Sequence, residues 1–300
     1  MFSRLLLAAA LAAAAPAAFA QPAADEPAAA AFAPTRFSVE VEGEGPDIIL
    51  LPGLASGREV WDEAVAALDG GHRIHRLQLA GFAGEPAGGN EAGALLPGVV
   101  EELRRYIEAN DLERPLLVGH SMGGLIALMT AIAHPEHVGR IMIVDSLPFF
   151  GALMGAPDAK SIAPQAGAMR DMIIGMDDAA FERAQRANMG SMVTGEEERE
   201  TVLKMSIESD REVFACAMHE VMLTDVRPAL ARLEVPATMV YPHNEAVSAE
   251  RAKALYKGAY EGAREVTFVP VAGSRHFIML DQPERFAEIL RAFASPKPAP

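Results

Sequence analysis

Pro115-Leu116-Leu117-Val118-Gly119-His120-Ser121-Met122-Gly123-Gly124 is the stretch from which the fold can be read. Leu116 to Val118 is a short apolar run of the kind a buried strand uses. Residues 125–133, Leu-Ile-Ala-Leu-Met-Thr-Ala-Ile-Ala, are good helix material. A strand therefore meets a helix across Gly119-His120-Ser121-Met122-Gly123, with the serine at the corner. A turn this tight demands unusual backbone angles at its centre and small flanking residues, so that strand and helix can approach. Its product is a hydroxyl held out from the sheet edge with the helix N-terminus beneath it.

Outward from this corner, strand and helix signals alternate. Upstream, residues 37–41 (Phe-Ser-Val-Glu-Val) alternate as an edge strand with one wet face does. Residues 48–51 are continuously apolar, as in a strand buried on both faces, and run into Pro52-Gly53-Leu54-Ala55-Ser56-Gly57. Such a glycine-rich loop at a strand end either simply connects to a helix or aims backbone N–H groups at a developing negative charge. A short helix over 60–68, a strand over 74–79 and a helix over 99–110, with Val100, Leu103, Tyr106 and Ile107 at helical spacing, complete the approach. The glycines of Ala80-Gly81-Phe82-Ala83-Gly84 lack the spacing of a nucleotide-binding loop. Downstream, 141–144 and 237–241 read as buried strands, 247–260 as a helix and 265–269 as the last strand, before a final helix ending at 293. His134 and His137 lie three apart, but Pro135 between them interrupts any helix, so they read as turn residues rather than metal ligands.

Residues 147–232 differ. Strand signals are scarce, helix-like segments fall at 166–174, 178–189, 196–206 and 211–223, and nine of the chain's 15 methionines lie here. Thioether side chains at helical spacing fill cores and also suit a pocket that accepts apolar shapes.

The N-terminus has one early charge, Arg4, then a Leu/Ala run closed by Ala18-Phe19-Ala20, which is the pattern of a cleaved signal peptide over 1–20. Residues 21–35 are Ala/Pro-rich and read as a flexible leader, and 296–300 as a tail. The chain is therefore expected to be exported to the periplasm or medium, without membrane insertion after cleavage. A formal net charge of −15 with no basic patch argues against nucleic acid as a partner. The single cysteine, Cys216, leaves no internal disulfide possible. Oligomeric state is not legible.

The strand–Gly119-x-Ser121-x-Gly123–helix arrangement resembles the nucleophile elbow of the α/β-hydrolase superfamily. So does Gly273-Ser274-Arg275-His276-Phe277 followed by Asp281-Gln282-Pro283-Glu284 and a last helix, which looks like that family's histidine loop. The resemblance runs from about residue 37 to 293. It implies a mostly parallel central sheet flanked by helices, with a core over 36–146 and 233–295 and a helical cap over 147–232. It implies Ser121 as nucleophile, His276 as base, and the backbone N–H groups of Leu54 and Met122 as an oxyanion hole, although Pro52 stands where the family usually has His. For the acid, counting from Pro236 puts Glu245 in the family's position, in Pro242-His243-Asn244-Glu245 where Gly-x-x-Asp is usual. Asp145, after the 141–144 strand, is the rival, and Glu245 is preferred. The implied chemistry is hydrolysis of a small-molecule carboxylic ester through an acyl-enzyme, with no metal and no cofactor. Lactone, amide or thioester hydrolysis and perhydrolysis use the same parts, and a slow-turnover binding protein is the alternative of another class.

Overall fold

The computed structural model describes residues 32–68, 70–91 and 93–295. The 1–20 segment, most of the 21–35 leader and the 296–300 tail lie outside the described residues. Seven strands form one sheet: β1 (Phe37–Glu42), β2 (Asp47–Leu51), β3 (Arg73–Leu79), β4 (Leu116–His120), β5 (Arg140–Val144), β6 (Ala237–His243) and β7 (Val266–Ala272). The order is β1-β3-β2-β4-β5-β6-β7. Only β1 pairs antiparallel, with β3; the remaining neighbours are parallel. The wet-faced 37–41 pattern thus sits at an edge, and the continuously apolar Ile48–Leu51 run sits inside, fully buried. Each such aliphatic side chain contributes about 1.5–3 kcal/mol on burial.

The helices are α1 (Asp62–Ala66), α2 (Leu95–Ala109), α3 (Met122–Ala133), α4 (Ala159–Ile174), α5 (Asp178–Met192), α6 (Glu196–Ile207), α7 (Arg211–Leu223), α8 (Ala249–Ala259), α9 (Ile278–Asp281) and α10 (Pro283–Ala294). Layers on both faces of the sheet make two main apolar clusters, one including α2 and α3, the other α1 and α10 with Trp61 against Phe286. The last two strands run past their expected ends at 241 and 269, through Pro242 and Pro270. Pro270 is tolerated because β7 is an edge strand. Pro242 is tolerated because the ladder from β5 to β6 ends at Val144↔Val240, so the proline lies beyond it. α4 likewise starts seven residues before its expected start at 166, despite Pro164 within it. Asp158 caps its N-terminus, accepting from the Ser161 N–H at 2.8 Å.

Residues 147–232 hold α4 to α7 and add no strand to the sheet. They attach at specific points. The Gly81–Gly84 turn meets the α6–α7 junction: Asp210 N–H donates to Gly81 O at 2.8 Å and Ala83 N–H to Ser209 Oγ at 3.0 Å. Gly81 has φ +88°, and a Cβ there would lie 2.7 Å from Val213 on α7, so only glycine fits. Glu220 of α7 accepts from the Leu95 and Leu96 N–H groups at 2.8 and 2.9 Å, capping α2 from across the molecule. No helix among the described residues is long and apolar enough to cross a membrane.

Candidate active site

Parallel strands direct their C-terminal ends to one side of the sheet, where ligands of such sheets bind. β2, β4 and β5 end there in register, with Leu51 opposite Gly119 and His120 opposite Val144. Ser121 follows β4 with φ +53° and ψ −119°, a conformation that non-glycine residues rarely adopt. The close approach that the sequence anticipates is evident at both glycines. A Cβ on Gly119 would lie 2.2 Å from Gly123 O, and one on Gly123 would lie 2.3 Å from Leu51 O. The elbow is therefore wedged between its own helix and the end of β2, which holds the strained serine in place.

The Pro52–Gly57 loop lies beside it. A Cβ on Gly53 would sit 3.2 Å from Ser121 Cβ. Among the described residues, the N–H of Leu54 has no acceptor. Met122 is the first residue of α3, so its N–H has no partner within the helix. Both line, with Ser121, His276 and side chains of α5, α6 and α7, a cavity of about 360 Å³.

His276 sits in the loop between β7 and α9. Its Nδ1 is 2.7 Å from Asp145 Oδ2. Asp145 is an ionisable acceptor, so Nδ1 carries the hydrogen and Nε2 presents its lone pair. Ser121 and His276 share the cavity without a direct hydrogen bond; such contacts in substrate-free enzymes are commonly long and tighten with substrate. The expectation for the acid is corrected here. Glu245 is exposed, in the turn after β6, while the carboxylate on the imidazole belongs to Asp145. The reason is the strand order. β5 adjoins β4, so the residue after β5 stands next to the elbow, whereas β6 lies one strand further away and continues through Pro242 to His243. The turn containing Glu245 instead supports the histidine loop through its neighbour, since Asn244 Nδ2 donates to Ser274 O at 2.8 Å.

Two of the supporting residues, Tyr256 and Tyr260, carry no signature that sequence reasoning could have used. Tyr256 on α8 donates its hydroxyl to the second oxygen of Asp145, Oδ1. One turn later, Tyr260 donates to Ser146 O at 3.0 Å. Burial and then the Asp145 charge push the Tyr256 hydroxyl pKa far above its ordinary value, so it remains a donor. Asp145 itself has φ +44°, a second strained residue held by its partners. His120 of the elbow is fully buried, and its Nε2 lies 3.0 Å from His276 O. A carbonyl only accepts, so Nε2 carries the hydrogen. Burial, followed by the charge of His276, lowers the His120 pKa well below the usual imidazole range, keeping it neutral. Asp281 joins the turn between α5 and α6 to the histidine loop, accepting from Thr194 N–H at 2.7 Å and Arg275 N–H at 2.6 Å.

His134 and His137 lie in and beside a short 3-10 turn, and His137 Nε2 is 3.2 Å from Glu108. A second His–Asp pair, His75 Nε2 to Asp47 Oδ1 at 2.9 Å, lies at the opposite end of the parallel strands, and Tyr106 occupies its other ring nitrogen at 2.8 Å. It has no serine and ties α2 to the sheet.

A mostly parallel sheet, a strained serine after a central strand and a histidine–carboxylate pair at the same sheet edge define an α/β hydrolase. The family model described as "Alpha/beta hydrolase family" matches residues 48–289, and the chain belongs to that family. It is 29% identical over 260 residues to the pimeloyl-[acyl-carrier protein] methyl ester esterase of Aeromonas hydrophila, covering 85% of this chain and 98% of the relative. Among solved structures, it superposes on a thermophilic esterase from Thermogutta terrifontis with TM-score 0.71 at 18% identity, covering 86% of this chain and 92% of that one. The enol-lactonase from Burkholderia xenovorans LB400 superposes with TM-score 0.68 at 17% identity, covering 86% and 95%. At those identities the two structures speak for the fold alone.

Proposed function

We propose that this protein is a serine hydrolase that cleaves a carboxylic ester of a small or moderately apolar acyl group through an acyl-enzyme. The observation that carries this reading is the pairing of a serine at φ +53° with a histidine whose Nδ1 is bound by Asp145 at 2.7 Å, both opening on one cavity. Similarity to the Aeromonas hydrophila ester esterase supports an ester as the scissile group.

Ser121 Oγ attacks the ester carbonyl carbon while His276 Nε2 takes its proton. Asp145 holds the ring with Nε2 facing the cavity and stabilises the imidazolium. The carbonyl oxygen becomes an oxyanion and accepts from the Leu54 and Met122 N–H groups. As the tetrahedral adduct collapses, the carbon–oxygen bond to the alcohol breaks, and His276 gives its proton to the departing oxygen. Water then attacks the acyl-enzyme, losing a proton to the same nitrogen. Ser121 leaves with that proton, and the acid is released. A neutral His120 behind the ring suits this cycle, because a second positive charge there would oppose imidazolium formation.

The test is a p-nitrophenyl ester series with rapid mixing. Sustained turnover, with an acyl mass on Ser121 after acid quench, is the expected result. A single stoichiometric burst without turnover would instead identify a slow binding protein. Neither burst nor turnover with any ester overturns the reading.

We also propose export with cleavage after Ala20, on the Ala18-Phe19-Ala20 end of the apolar run. Intact-mass spectrometry of the protein from periplasm or medium should give a chain beginning at Gln21; retention of residues 1–20 counts against it.

A further inference from the structure

The cap presents three helix faces to the cavity. On α5 these are Gln185, Asn188, Met189 and Met192, spaced as one face of a helix. α6 contributes Val202 and Ser206, and α7 contributes Phe214, Met218 and Val221. Apart from the exposed Asn188, the surface is apolar except at one deep point. Gln185 is 8% exposed and Ser206 4%. Ser206 Oγ donates to Gln185 Oε1 at 3.0 Å. That bond satisfies the amide oxygen and fixes which way the amide points. The Gln185 NH₂ group has no partner among the described residues, and the side chain lines the cavity. That nitrogen is open to the cavity, so water can meet it when no ligand is bound, whereas a ligand that fills the cavity and displaces the water must supply an acceptor in its place. The position is therefore built to meet an acceptor that arrives with the ligand.

Two further features limit that acceptor. The lining contains no lysine or arginine, and its only charged or ionisable side chains are Asp145, His276 and His120 at the catalytic end together with Tyr256. A carboxylate against Gln185 would be buried without a countercharge, which is far more costly than a neutral oxygen. The acyl group also stays attached to the enzyme through both chemical steps while the alcohol departs, so the enclosed space under the cap suits the acyl chain.

Resting on the ester-hydrolase reading above, we propose that Gln185, held by Ser206, selects acyl chains that carry an uncharged oxygen acceptor, such as an ester or ketone carbonyl, at a distance from the scissile ester. The substrate class is thus a bifunctional acyl ester rather than a plain alkanoate or a free half-acid.

The experiment compares kcat/KM for p-nitrophenyl esters of three kinds: methyl half-esters of succinic through suberic acid, alkanoates of equal chain length, and the corresponding free half-acids. At one chain length the wild type should prefer the methyl-ester-ended chain over its alkanoate by about tenfold or more, the scale of one hydrogen bond left unmade. Gln185→Leu should bring that ratio to about one. Ser206 can then bond to the carbonyl one turn back in α6. Gln185→Met keeps the length of the side chain without an amide donor and should also lose the preference, which guards against misfolding of the leucine variant. An identical ratio in wild type and variants at every length, or a preference for the free half-acids, overturns the proposal while leaving the hydrolase intact. Absence of turnover with every ester overturns both.

Discussion

Ser121→Ala is expected to abolish ester hydrolysis, lowering kcat by on the order of 10⁴-fold or more, with the fold unchanged. The serine Oγ is the only atom removed, and no described residue bonds to it. The backbone strain at φ +53° is already present with serine, and alanine carries the same Cβ. The Gly119 and Gly123 contacts that wedge the elbow remain. Circular dichroism and thermal unfolding should therefore match the wild type while turnover falls to what the oxyanion hole and binding alone supply. Equal kcat in variant and wild type, in protein free of host esterases, would exclude Ser121 as nucleophile.

Asp145→Asn is expected to have the second largest effect, about 10⁴-fold in kcat, the magnitude known for an Asp→Asn change in a serine triad. An amide in place of Oδ2 can present its NH₂ to His276 Nδ1, which favours the tautomer with hydrogen on Nε2 and removes the lone pair that accepts the Ser121 proton. It also cannot stabilise imidazolium. Glu245→Gln should be close to wild type, because that carboxylate is exposed and away from the ring. Tyr256→Phe should fall between the two, at about tenfold, because Asp145 keeps its bond to His276 but loses the donor on its other oxygen. The measurement is kcat and kcat/KM for the three variants on one ester across pH. A folded Asp145→Asn with wild-type kcat, or a large loss in Glu245→Gln, would reverse the assignment.

The acid is also where reading the chain alone fell short. Two carboxylates follow strand-like runs, and counting along the chain from a family pattern favours the wrong one. Distance to the imidazole depends on which strands are neighbours, and a local sequence pattern does not encode that. Tyr256 and Gln185 are invisible for the same reason. Each is an ordinary residue on an amphipathic helix until Asp145 or Ser206 is brought against it from elsewhere in the chain.

By itself, the amino-acid sequence determined what is local. Apolar runs marked the central strands, because strands buried on both faces must be continuously apolar, and the alternation of residues 37–41 marked an edge strand. Ser121 was legible because its strained turn requires Gly119 and Gly123 within two residues on either side. His276 was legible through the loop and helix that follow it. The helices of 147–232 were legible from their composition, except that α4 begins ahead of Pro164. The tertiary structure alone decided how these parts meet: that β5 rather than β6 adjoins the elbow, that Tyr256 holds Asp145, that His120 braces the His276 carbonyl, and that α5, α6 and α7 line one cavity with the Gln185 amide among them. Those relations join residues up to 156 positions apart, as between His120 and His276. They arise when the sheet orders its strands and the helices of 147–232 pack against the rest of the chain.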